Sequence, residues 1–183
     1  MDQTGEYRSK QHLEAYDATK HDSAASLSVF EPAPGKPIPD EGLAHLKNLA
    51  NKGYVEYKNG ASFPRVLIID EAHQFVPEPA LLGFGAPGRE SAITFGMHAM
   101  QVRKYGLTLA LISQRTAVVA KTALSQCENV IAFKSVDQTG LDYLEAVLGP
   151  QAREILPNLQ QGEALVSGPS VSSDFPVAIT LIA

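Results

Sequence analysis

Residues 66–71 read VLIIDE, an unbroken run of β-branched and aliphatic side chains that ends in Asp70 and Glu71. Such a run is typical of a strand in a parallel sheet, which helices cover on both faces. Ligands of open α/β sheets bind beyond the carboxyl ends of the strands, so carboxylates there favour metal or phosphate chemistry. The alternative is a solvated turn or a helix start. The stretch therefore predicts an α/β fold with a candidate site at one strand end.

A second strand of the same kind is predicted at residues 107–112, LTLALI, and it ends in Ser113, Gln114 and Arg115. An amide and a guanidinium at a strand end can hydrogen-bond a water molecule or a phosphate group. Two neighbouring strands with polar ends predict a single site.

The remaining segments alternate between helix and strand, which favours a mostly parallel sheet covered by helices. Residues 91–104 predict a helix in which Ile93, Met97 and Met100 share a face. The other predicted elements are strands at residues 130–133, 164–167 and 177–182, and a helix that includes residues 142–148.

The N-terminal part of the chain has a different composition. Residues 18–39 are rich in Ser, Ala and Pro and predict a loop or an insertion. Asp40 is placed to cap a short helix, and Gly53 is placed to end it.

Composition narrows the class of protein. The 183 residues are 44% hydrophobic, enough for one compact domain. There is no long apolar run, no leader pattern and a single cysteine, Cys127, so we expect a cytoplasmic protein without a membrane segment. The net charge of −5 argues against a surface that is basic all round, but a local basic band could still contact DNA.

Several segments resemble the HerA-like ATPases of the HerA/FtsK superfamily. Residues 65–73, RVLIIDEAH, look like a Walker B strand. The other similar segments are RKYGLTLALISQR at residues 103–115, LSQC at 124–127, LQQGEALVSG at 159–168 and DQTGEY at 2–7. The resemblance spans nearly the whole chain outside the Ser/Ala/Pro-rich stretch, and it implies that residues 1–183 form a RecA-like domain.

The resemblance also implies roles for named residues. Asp70 would hold Mg²⁺, and Glu71 would orient and deprotonate the water that attacks the γ-phosphate of ATP. Gln114 would sense the γ-phosphate or position that water. Arg103 would be an arginine finger that acts on an adjacent subunit, with Arg115 as the second candidate for this role.

Each of these residues also has a local structural alternative. Gln114 could make only a hydrogen bond at a strand end, and either arginine could form an ordinary surface ion pair. His73 is expected to pack or hydrogen-bond locally. The Pro- and Gly-rich residues 74–90 could be a surface connection or a loop that contacts DNA through Arg89.

The sequence departs from the family in lacking a G-x-x-x-x-G-K-[ST] phosphate-binding loop. Gly35-Lys36-Pro37 carries a proline that prevents the required helix start, and residues 85–91 contain no lysine. The expected fold is therefore an incomplete RecA-like domain without the central P-loop strand and helix. We interpret the chain as a fragment, a truncated reading frame or a degenerate relative.

Two functions follow as alternatives. The first is the C-terminal part of an ATP-dependent translocase or helicase for duplex DNA, which works as a homo-hexamer, alongside a nuclease or another effector. The second is a non-catalytic module that binds a partner or occupies a ring without ATP turnover. A conjugation or packaging ATPase of the same superfamily ranks below the HerA type because of SQR and LSQC.

Overall fold

The computed structural model describes residues 14–15, 28–30, 32, 35–61 and 64–181. The DQTGEY segment and most of the Ser/Ala/Pro-rich stretch lie outside the described residues. Two compact units make up the chain. The first consists of Met1–Gln114 and Val118–Gln126, and the second of Arg115–Ala117 and Cys127–Ala183.

The first unit is an α/β unit. Its strands are β1 (Glu14–Ala15), β2 (Ser28–Val29), β3 (Arg65–Ile69) and β4 (Leu107–Leu111). Its helices are α1 (Ile38–Lys58), α2 (Ala72–Phe75), α3 (Arg89–Val102) and α4 (Lys121–Leu124), with short 3₁₀ turns at Pro79–Leu81 and Arg103–Tyr105. Both described strand pairs of this unit, β1 with β2 and β3 with β4, are parallel.

Strands β3 and β4 carry the two predicted polar ends, and their register brings these ends together. Arg65 pairs with Leu107 at one end, and Ile69 pairs with Leu111 at the other. The carboxyl ends of both strands therefore meet at the same edge of the sheet. The two apolar runs are strands, as predicted.

The prediction that the first of these strands is buried on both faces is wrong. Leu67 and Ile69 are 7% and 0% exposed, whereas Val66 and Ile68 on the other face are 64% and 48% exposed. Successive side chains of a strand point to opposite faces, and the core that α1 and α3 build packs against Leu67 and Ile69. An unbroken apolar run therefore does not tell whether one face or both are covered.

Helix α1 is longer than predicted because Gly53 does not end it. The helix continues to Lys58, and a Cβ atom at position 53 would lie 2.5 Å from the carbonyl oxygen of Tyr105. Gly53 thus allows the turn before β4 to approach the helix closely. At the other end, α1 begins before Asp40, which accepts a hydrogen bond from the Ser91 hydroxyl on α3 at 2.5 Å instead of capping the helix.

An ion pair joins α1 to the start of β3. The Arg65 guanidinium donates to both carboxylate oxygens of Glu56, at 2.6 and 2.5 Å. These bonds hold the pKa of the Glu56 carboxyl below its usual value. The forked contact fixes where the strand that leads to Asp70 begins.

Helix α3 leaves the predicted face largely exposed and buries another face instead. Ile93, Met97 and Met100 are 39%, 57% and 53% exposed. The buried residues of this helix are Ala92, Phe95, Gly96, Ala99 and Val102. A Cβ atom at Gly96 would collide with the Thr122 side chain on α4, so the missing side chain permits close helix packing.

The second unit contains a three-stranded antiparallel sheet. Its elements are β5 (Val130–Ala132), β6 (Glu163–Ser167), β7 (Val177–Thr180), α5 (Gln138–Leu148) and α6 (Ala152–Ile155). The strands were predicted in the right places, but β6 pairs antiparallel with both β5 and β7. The alternation of strands and helices located these elements without determining their direction.

Within the described part of the chain, no helix combines the length and the apolar character that a membrane crossing requires.

Helix α1 also buries His45, which is 5% exposed and stacks on Phe30 with ring centroids 4.2 Å apart. Burial disfavours the charged imidazolium and lowers the pKa of His45 from 6.5 to about 4. A buried neutral histidine couples folding to pH.

We expect this coupling to weaken the fold in acid. The unfolded chain binds more protons than the folded chain between pH 6.5 and about pH 4, so stability falls as the pH drops through this window. The expected loss of unfolding free energy is about 3 kcal/mol, since each pKa unit corresponds to about 1.4 kcal/mol. Urea unfolding measured above pH 6.5 and near pH 4 checks it. The His45→Phe variant should lose this part of the pH dependence, and an unchanged slope would contradict the assignment.

Candidate functional site

The candidate site lies where the carboxyl ends of β3 and β4 meet. Backbone hydrogen bonds continue beyond both strands. The amide of Ile112 donates to the carbonyl of Ile69 at 2.9 Å, and the amide of Ala72 donates to the carbonyl of Ile112 at 2.8 Å. These two bonds hold the residues that follow one strand against those that follow the other. The structure therefore places the two predicted polar ends side by side.

Glu71 has an unusual backbone conformation at this edge. Its φ and ψ angles are 48° and 47°, and it is the one non-glycine residue with positive φ in the part of the chain that the structure describes. Its amide donates to Oδ1 of Asp70 at 2.9 Å. A left-handed conformation costs a residue with a side chain about 1 to 3 kcal/mol, and such residues concentrate at functional sites.

The Glu71 carboxylate is contacted on both of its oxygens. Nε2 of Gln114 donates to Oε1 at 3.4 Å, and Nδ1 of His73 lies 3.1 Å from Oε2. The Glu71 side chain is 28% exposed, so water can still reach it. The structure thus brings together Glu71 and Gln114, which the sequence analysis had assigned to one site.

Asp70 comes directly before Glu71 and supplies a second carboxylate. Among the described residues, no group of three or more His, Cys, Asp or Glu side chains is arranged to hold a metal by itself. Mg²⁺ at phosphate-transfer sites needs only one or two carboxylates, because phosphate oxygens and water complete its shell. The donor chemistry of Asp70 therefore fits Mg²⁺ when a phosphorylated substrate accompanies it.

Arg103 is not brought to this site within the chain. It begins the 3₁₀ turn Arg103–Tyr105 that precedes β4, whereas Gln114 follows the same strand. Five residues of strand, about 17 Å, therefore separate the two ends. Arg103 in the same chain lies too far from Glu71 to contact it.

Arg115 follows Gln114 in the sequence but groups with the second unit. The assignment of Arg115 as the second candidate finger stays a prediction.

The connection after α2 holds Arg89 beside an exposed aromatic ring. The Arg89 guanidinium lies 4.9 Å from the ring centroid of Phe84, which is 98% exposed. Gly88 caps α3 in a left-handed conformation, and a Cβ atom there would lie 2.9 Å from Pro39. The start of this helix therefore packs against Pro39.

His73 was expected to pack or hydrogen-bond locally, and its local partner is the carboxylate of Glu71, the candidate general base, two residues earlier. The available signal was its position two residues after Glu71 at the start of a very short helix, α2. Without the left-handed turn at Glu71, that spacing does not show that the two side chains meet.

The chain is similar in sequence to HerA helicases, although no protein-family profile matches it. It is 30% identical over 112 residues to the probable DNA double-strand break repair helicase HerA of Methanocaldococcus jannaschii, covering 60% of this chain and 21% of that protein. It is also 30% identical over 139 residues to the HerA helicase of Saccharolobus solfataricus, covering 72% of this chain and 26% of that protein. The chain thus spans about a quarter or less of the length of these relatives.

Solved structures of ATPases share the fold. The genome packaging NTPase B204 of Sulfolobus turreted icosahedral virus 2, in complex with ATP-gammaS, matches all of this chain and 80% of its own, with a TM-score of 0.65 and 20% identity. VirB4 of Thermoanaerobacter pseudethanolicus matches 91% of this chain and 43% of its own, with a TM-score of 0.57 and 19% identity. The predicted α/β, RecA-like fold is confirmed.

Proposed function

We propose that this chain, HerA-like in sequence and RecA-like in fold, supplies the Walker B side of an ATPase that moves duplex DNA. The observation that carries the proposal is the Glu71 carboxylate at the end of β3, contacted by Gln114 from the end of β4. A carboxylate that is partly exposed to water and held by a neighbouring strand suits a general base for hydrolysis.

The roles of the site residues follow from their chemistry. Glu71 accepts a proton from the attacking water, and Gln114 orients either that water or the Glu71 carboxylate. Asp70 would hold Mg²⁺, and the ion would supply positive charge to neutralise the phosphates.

Arg103 fits a role at a neighbouring subunit. A guanidinium at the opposite end of β4 cannot serve the site of its own chain, but it can complete a site formed with the next copy in a ring. We propose a homo-hexamer with Arg103 as the finger, and Arg115 is the second candidate.

The proposed substrate is duplex DNA, and its charge determines how the chain would bind it. Duplex DNA is polyanionic, and with a net charge of −5 the chain must bind it through a local basic surface. A nuclease or another effector that acts on the same DNA is the proposed partner. Such a protein would work in the cytoplasm.

Turnover requires a phosphate-binding loop, and the sequence contains no G-x-x-x-x-G-K-[ST] motif. The proposal therefore needs this loop from another segment or another subunit. The second candidate function is a non-catalytic module that takes a place in a ring. It is favoured by the same missing sequence, and the two candidates differ in whether Glu71 ever meets a nucleotide.

The test compares the isolated 183-residue chain with the native protein, purified from its cells with any subunits that accompany it. We expect ATP hydrolysis by the native protein to increase when duplex DNA is added at low salt. The isolated chain should not hydrolyse ATP. A native protein that binds neither ATP nor DNA would instead favour the non-catalytic module, and turnover by the isolated chain would reveal a phosphate site within these residues.

A further inference from the structure

We infer that His73 is a positioning residue that fixes the carboxylate of Glu71 through a proton on Nδ1. The catalytic consequence of this inference rests on the proposed function, whereas the contact itself does not. Nδ1 of His73 lies 3.1 Å from Oε2 of Glu71, and the two side chains are 18% and 28% exposed. Both groups are therefore largely withdrawn from water, where a polar contact is stronger than on an open surface.

The location of the ring proton follows from the distance. If Nδ1 carried no proton, its lone pair would face a carboxylate oxygen at 3.1 Å, and the two would repel. A proton on Nδ1 turns the same approach into an attraction. The hydroxyl of Ser113 lies 3.5 Å from the same nitrogen, farther than the carboxylate, so it is the weaker partner. The geometry therefore assigns the proton of the neutral ring to Nδ1.

The two contacts to Glu71 act on different oxygens. Gln114 donates to Oε1 from the end of β4, while His73 approaches Oε2 from α2. A carboxylate held at one oxygen can still swing about that contact. Contacts at both oxygens restrict its orientation, and a misplacement of about 1 Å at a catalytic group can cost about 100-fold in rate.

The helix that carries His73, α2, is anchored in the core of the first unit. The neighbours of His73 in α2, Ala72 and Phe75, are both 0% exposed and belong to the core of the first unit. The Ala72 amide is also bonded to Ile112 beyond the end of β4. Because these residues anchor both ends of the four-residue helix, the histidine ring has a defined position relative to Glu71.

The contact is tested in the 183-residue chain without nucleotide. Nitrogen-15 NMR of labelled histidine distinguishes a proton on Nδ1 from one on Nε2, and the His73→Asn variant identifies the His73 signals among those of the five histidines. We expect His73 to carry its proton on Nδ1, and this preference to disappear in Glu71→Ala. The matched control Glu90→Ala, on α3, should leave it unchanged. A proton on Nε2, or a preference for Nδ1 that survives Glu71→Ala, would overturn the inference.

The catalytic consequence is tested in the native protein. We expect His73→Ala to lower kcat by about 10- to 100-fold, with KM for ATP changed less than about twofold, because the variant misplaces the base without removing a nucleotide contact. His73→Asn carries an amide nitrogen near the position of Nδ1 and should restore most of kcat. The control His98→Ala, on α3, should behave as the unmodified protein.

The outcomes separate the inference from the proposed function. A loss in His73→Ala that asparagine does not restore would mean that the ring is needed only for packing, and it would overturn the positioning role. The Nδ1 proton could depend on Glu71 in a protein that never hydrolyses ATP. That result would support the contact between His73 and Glu71 and contradict the proposed function.

Discussion

Replacing Glu71 by glutamine is expected to lower ATP turnover of the native protein by about 10²- to 10⁴-fold, the usual contribution of a general base. Glutamine has nearly the same shape and can still accept a hydrogen bond from Gln114, but it cannot take a proton from water. Nucleotide binding should therefore persist while hydrolysis fails. Phosphate release under saturating ATP, together with the binding of a nucleotide analogue, measures both properties.

Glu90→Gln is the matched control for this prediction. It makes the same chemical change on an exposed residue in the first turn of α3, outside the site. We expect its turnover to equal that of the unmodified protein. If Glu71→Gln retained more than about a tenth of the activity, Glu71 would not be the general base, since that role predicts a loss of at least about 100-fold.

Replacing Arg103 by alanine is expected to reduce turnover by about 10³- to 10⁵-fold, the range for an arginine finger. The structure places Arg103 at the opposite end of β4 from Gln114, so any such effect must act on the site of another subunit. Neighbouring Lys104 is the control. It is exposed and lies 4.9 Å from the Tyr105 ring centroid, and Lys104→Ala should leave turnover nearly unchanged.

A mixing experiment separates action between subunits from action within one chain. Co-expressed Glu71→Gln and Arg103→Ala subunits are each inactive, but a mixed ring contains sites with Glu71 from one subunit and Arg103 from its neighbour. Random mixing in equal amounts gives about one quarter intact sites in a head-to-tail ring. Recovery of turnover would establish the finger between subunits. If Arg103→Ala were inactive and mixing restored nothing, Arg103 would not be a finger, and its loss would act through folding or assembly.

Sequence patterns located most of the elements. The ends of β3 and β4 were predicted to within one residue. Long apolar runs that end in polar residues are strong local signals. The same runs predicted that Glu71 and Gln114 would meet, since parallel neighbours end at one edge of a sheet. Gly53 was misinterpreted, because a glycine required by a close contact looks the same in sequence as one that ends a helix.

The sequence by itself determined the α/β class, the strand ends that carry Asp70, Glu71 and Gln114, and the resemblance to HerA-like ATPases. These features depend on local periodicity and short spacings, which a linear chain displays directly. Only the tertiary structure decided which face of β3 is covered, that the C-terminal strands run antiparallel, and that His73 touches Glu71. Each of these features depends either on contacts between residues of different elements or on the left-handed backbone conformation at Glu71. Such contacts and such a conformation produce no periodic pattern in the sequence.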